Sequence, residues 1–164
     1  MFLLNEKKCA DICLKNTNKY VFKAVNYLIS DFERVSTFGV KPKIVKNVTQ
    51  NCIIIEENTR TSAEPVADES YSRTTENGNI VFRADGYLGS MWGIYTLSEK
   101  FLDVDPCYLF NDLAIVKKNA VELSEVDIAD KPDGFGFRGV FINDEDLLQG
   151  WKDGGARLVG GGYY

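Results

Sequence analysis

Asn77-Gly78 stands between two β-prone runs, residues 70–75 and 80–84. Both turn residues tolerate positive φ, so this pair is the strongest short-range signal for an antiparallel hairpin. A hairpin alone is only marginally stable in water and needs further strands or a helix to cover it. The rest of the chain supplies both. Residues 9–15 alternate Ala10, Ile12 and Leu14 with Asp11, Cys13 and Lys15, the period of a strand. Cys52-Ile53-Ile54-Ile55 is continuous and β-branched, as expected of a central strand buried on both faces. Lys43-Ile44-Val45 reads as a shorter strand. Leu113-Ala114-Ile115-Val116 reads as another, with one more extended piece over residues 120–126.

Two helices complete the pattern. Val21, Val25, Leu28, Phe32 and Val35 recur at spacings of four and three, and Phe22 and Ile29 widen that stripe. Asn16-Thr17-Asn18 carries side chains able to cap the N-terminus, while Gly39 and Pro42 mark the stop. The second helix begins near Tyr87, with Leu88, Trp92, Tyr95, Phe101 and Leu102 on its apolar face and Met91 and Ile94 beside them. Gly86, Gly89 and Gly93 lack the spacing of a phosphate-binding loop, and their expected role is steric: a helix backbone seated close on a sheet. The expected fold is α+β, a mixed sheet of about four to six strands with two helices on one face. Residues 58–69 read as a polar surface loop.

Several chemistries are excluded or disfavoured. The chain has no histidine, which removes Ser-His and Cys-His nucleophilic machinery from it. Its four cysteines form no Cys-x-x-Cys pair, so reduced and mostly buried thiols are expected rather than a metal site. A net charge of -5 without a basic cluster argues against a nucleic-acid partner. No apolar run approaches a secretion signal or a membrane span, and a cytoplasmic location is the expectation. No cofactor is implied.

The last feature is the run Phe135-Gly-Phe-Arg-Gly-Val-Phe-Ile-Asn-Asp-Glu-Asp146. Val140-Phe141-Ile142 reads as a buried strand that ends in a crowd of amide and acid groups, the place where barrel enzymes keep their chemistry. A barrel needs roughly 250 residues. Eighteen follow Asp146, and their glycine content disfavours a helix. The expected organisation is therefore a small domain over residues 1–133 and the start of a truncated catalytic barrel over residues 134–164.

Glu69-Ser70-Tyr71, Asn77-Gly78-Asn79-Ile80-Val81 and the helix beginning Asp85-Gly86-Tyr87-Leu88-Gly89 resemble the small α/β domain that precedes the barrel in β-hexosaminidases and related glycosidases. Asp105-Pro106-Cys107-Tyr108 and Phe137-Arg138-Gly139-Val140-Phe141-Ile142-Asn143-Asp144-Glu145 are most similar to the α-glucuronidases of glycoside hydrolase family 115. The resemblance covers residues 9–151. It implies a carbohydrate partner for the full-length protein, with Arg138, Asn143, Asp144 and Glu145 as substrate-binding groups. Arg138 could equally pair with neighbouring acids, and Asn143-Asp144 could cap a following helix. Adjacent side chains on a strand point apart, so Asp144 and Glu145 are not expected to be a catalytic pair. No catalytic residue is assigned to the chain. The alternative is a free-standing module that binds carbohydrate or protein through Tyr71, Tyr108, Trp151, Tyr163 and Tyr164.

Overall fold

The computed structural model describes residues 1–58, 69–108, 113–124 and 127–130. In chain order the elements are β1 (Phe2–Leu4), β2 (Asp11–Lys15), α1 (Val21–Val35), β3 (Ile44–Val45), β4 (Cys52–Glu57), β5 (Tyr71–Glu76), β6 (Asn79–Ala84), α2 (Tyr87–Leu102), β7 (Val121–Glu122) and β8 (Asp127–Asp130). Six strands form one mixed sheet in the order β3-β2-β4-β6-β5-β8. The first three junctions are parallel; β6–β5 and β5–β8 are antiparallel. A separate antiparallel pair joins β1 to β7.

The hairpin forms as expected. Glu76 pairs with Asn79, and the two-residue loop between them has φ of 50° at Asn77 and 76° at Gly78. Positive φ at both positions matches the twist of the flanking strands. The Asn79 side chain then accepts a hydrogen bond from the Cys52 N–H at 2.7 Å, tying the turn to the start of β4.

Strand β4 is central, and alternation divides its residues between two clusters. Ile53 and Ile55 join the main core; Cys52 and Ile54 join a smaller one with Cys13 and Val81 on the opposite face. Being apolar on both faces, the strand reads in sequence as a continuous run. Both helices contribute to the main core: Val25, Leu28 and Phe32 from α1, Ile94 and Leu97 from α2. Each such fully buried side chain contributes about 1.5–3 kcal/mol of transfer free energy.

Some local expectations change. Helix α1 ends at Val35, where Ser36 turns extended, so Ser36 and not Gly39 is the stop. The Ser36 hydroxyl accepts from the N–H groups of Phe38 and Val40 and holds the exit. At the other end Tyr20 occupies the cap position and makes no side-chain cap bond; Asn18 bonds the Tyr20 N–H one step outside. Phe22 points outward, 45% exposed. Residues 113–116 form no strand: Leu113 and Val116 are exposed, Ile115 packs partly buried against the core, and just beyond them Lys118 makes a bridge to Ser36. Strand β1 has no counterpart in the expectations. Its Leu3 and Leu4 are fully buried. Cys9, Cys13 and Cys52 are buried free thiols, and Cys107 is exposed. Burial first, and the Asp11 charge second, push the Cys9 thiol up to about 12.

Candidate functional site: a cleft between the two helices

Helix α2 rests on the sheet through its smallest residues. A Cβ placed on Gly89 would lie 2.3 Å from the Ser70 carbonyl oxygen, and one on Gly93 would lie 2.9 Å from the Phe82 ring. The steric role anticipated for these glycines is therefore met. The buried face of α2 is Gly89, Ser90, Gly93, Ile94, Leu97, Ser98 and Leu102. Of the large residues expected on that face, Ile94 and Leu102 are buried, whereas Trp92 and Tyr95 are only partly buried and line a space shared with Tyr27 and Asp31 of α1. Glycines that bring the backbone to the sheet leave these aromatics to line a groove.

That groove has a volume of about 490 Å³. From α1 it takes Tyr27 and Asp31, one turn apart on one face. From α2 it takes Trp92, Tyr95, Thr96 and Glu99, again at spacings of three and four, together with Ser98. Its far end is closed by Val104, Pro106 and Tyr108. The closure depends on Asp103, whose left-handed φ of 55° reverses the chain so that the Val104 N–H bonds back to the Ser98 carbonyl.

Several side chains in the groove are held in place. The Trp92 indole N–H donates to Glu69 Oε2 at 3.1 Å, and its ring meets Tyr95 edge-on at 6.1 Å and 79°. Tyr71 donates to Thr96 Oγ1 at 2.8 Å. Arg34 donates to the Tyr108 hydroxyl, its guanidinium 5.3 Å from the ring centre. Ser98 donates to Asp31 Oδ2 at 2.5 Å. Asp31 is 7% exposed, and burial raises its pKa against the opposing effects of Ser98 and Arg34. Burial raises the Tyr95 phenol as well, with a further push from Tyr27. Glu99 is exposed and pairs with Lys100 at 2.9 Å.

Chemically this is a surface for stacking and hydrogen bonding. A raised carboxyl can serve as a general acid, but glycosidase chemistry needs a second carboxyl across the bond. The other acid here, Glu99, is held by Lys100. Among the described residues no cluster of His, Cys, Asp and Glu could hold a metal ion, and no helix is long and apolar enough to cross a membrane.

Arg138, Asn143, Asp144 and Glu145 lie outside the described residues, as do residues 59–68 of the polar loop expected over 58–69 and the aromatics Trp151, Tyr163 and Tyr164. Tyr71, expected as an exposed stacking surface, is only 5% exposed and packs under Gly93. Tyr108 does line the groove. The groove itself was missed in the sequence reading. Its one legible sign was Asp31, an acid in register with Leu28 and Val35 on an otherwise apolar stripe.

The sequence matches no protein-family model and no curated protein. Solved structures do match. A family GH115 4-O-methyl-α-glucuronidase with specificity for decorated arabinogalactans aligns over 80% of this chain at 17% identity and a TM-score of 0.60. The chitobiase of Flavobacterium johnsoniae aligns over 80% at 20% identity and a TM-score of 0.51. The fold is thus one found within glycoside hydrolases. The chain spans 18% of the length of each of these two proteins.

Proposed function

We propose that this chain is a non-catalytic accessory domain of a longer glycoside hydrolase, one that acts on glucuronic-acid-substituted plant polysaccharide. The observation that supports this is the coverage: four-fifths of this chain corresponds in fold to less than one-fifth of an α-glucuronidase and of a chitobiase. The described part is a sheet with a helix layer whose groove holds one buried acid and one exposed, paired acid. On this reading residues 1–133 form the accessory domain and residues 134–164 begin the catalytic barrel. Arg138, Asn143, Asp144 and Glu145 then contact substrate once that barrel is complete. A guanidinium suits the task, since its fork of donors meets hydroxyl or carboxylate oxygens with fixed geometry.

Glucuronoxylan incubated with the purified 164-residue chain should release no uronic acid. The full-length protein should release it, and deleting residues 1–133 from that protein should lower the rate. Turnover by the isolated chain would overturn the non-catalytic reading. Full activity after the deletion would overturn the accessory one.

A further inference from the structure

The groove between α1 and α2 has a size, a charge balance and a set of polar groups that select among ligands. Its volume of about 490 Å³ falls within the range of small-molecule sites. Four aromatic side chains reach it from both helices and the following loop: Tyr27, Trp92, Tyr95 and Tyr108. Rings offer flat apolar faces with a polar rim, a match for the C–H face and hydroxyl edge of a pyranose. The hydroxyls of Tyr27 and Tyr95 have no hydrogen-bond partner among the described residues, and neither has Oδ1 of Asp31.

Charge decides between ligand classes. Each acid of the groove has a base beside it: Lys100 on Glu99, and Arg34 close enough to act on Asp31. A cation entering an aromatic cage would meet Arg34 at the Tyr108 end. An anion would meet the Asp31 carboxylate, buried and lacking a cation in hydrogen-bond contact among the described residues. A neutral polyol meets neither penalty, and its hydroxyls can donate to Asp31 while accepting from the tyrosines.

We propose that this groove is a binding site for a neutral oligosaccharide, which stacks on Tyr27 and Tyr95 and donates a hydroxyl to Asp31. In the longer protein it would hold an uncharged stretch of a polysaccharide. The choice of a glycan rests partly on the accessory-domain reading; the preference for a neutral ligand rests on the groove alone.

The two tryptophans allow a direct test. In a Trp151→Phe background Trp92 is the sole indole, and its emission reports on the groove. Titration with xylohexaose or cellohexaose at millimolar concentration should change that emission saturably. Tyr27 is 48% exposed, so Tyr27→Ala should leave the circular dichroism intact and weaken binding about tenfold. Asp31→Asn, which keeps the shape of the side chain, should weaken it too. An unchanged Trp92 emission with both sugars would overturn the proposal, as would binding indifferent to Tyr27→Ala in a folded variant. Tighter binding of tetramethylammonium or of glucuronate than of the neutral sugars would overturn it in favour of a charged ligand. None of these failures touches the accessory-domain reading, which the deletion assay decides separately.

Discussion

Asp31 shares the buried stripe of α1 with Leu28 and Phe32, and its only hydrogen-bond partner among the described residues is the Ser98 hydroxyl on α2. A buried carboxylate without a donor is costly, because desolvation is no longer offset by a hydrogen bond. Ser98→Ala is therefore expected to destabilise the protein by about 1–3 kcal/mol at pH 7, measured by urea unfolding. The loss should shrink in acid, where Asp31 is neutral and needs its partner less. A loss independent of pH would show that Ser98 acts by packing alone. Spacing reveals that Asp31 faces inward. It does not reveal what Asp31 meets there, because Ser98 lies 67 residues further along the chain.

At the level of elements, α2 shows how propensity and packing can oppose each other. Glycine costs a helix about 1 kcal/mol relative to alanine, so Gly89→Ala and Gly93→Ala would each stabilise an isolated helix. In the fold the order reverses. At Gly89 the new methyl would strike the Ser70 backbone, which cannot yield without moving β5, whereas at Gly93 it meets the rings of Phe82 and Tyr71. Gly89→Ala is expected to cost about 1–3 kcal/mol net, and Gly93→Ala less, by denaturant midpoint. Equal effects would mean that the sheet surface adapts at both points. The periodicity of α1 and the Asn77-Gly78 turn could be read directly, since each depends on neighbours within a turn or a hairpin. Residues 113–116 have the composition of a strand but join no ladder among the described residues, because a ladder needs an open edge in the right place. The face assigned to α2 holds for Ile94 and Leu102 but not for Trp92 and Tyr95, because the helix comes closest to the sheet at Gly89 and Gly93 and leaves those two rings partly buried.

For the whole molecule, opposing carboxylates set the response to pH. Burial raises the pKa of both Asp31 and Glu57 in the folded state. The folded state therefore holds their protons more tightly, and stability rises as pH falls from their raised values toward the ordinary 3.8 and 4.5. Glu76 behaves oppositely. Hydrogen bonds from Arg83, then Thr74, hold its carboxyl down to about 2, so its contribution is present above 4.5 and is lost as pH falls toward 2. Protonation also reduces the net charge of -5 and its self-repulsion. The melting temperature should pass through a maximum at mildly acidic pH, and Glu76→Gln should flatten the acid limb below it. A melting temperature that falls steadily from pH 7 downward would contradict the roles given to Asp31 and Glu57.

From its sequence alone this protein has its local elements and its class: a hairpin, a central buried strand, two helices and an α+β fold. These follow from periodicity and turn chemistry, which act between residues close in the chain. The order of the strands, the pairing of β1 with β7, the seating of α2 on its glycines and the groove this opens toward α1 belong to the tertiary structure. They depend on which surfaces remain free once the sheet is assembled, and no single segment carries that information.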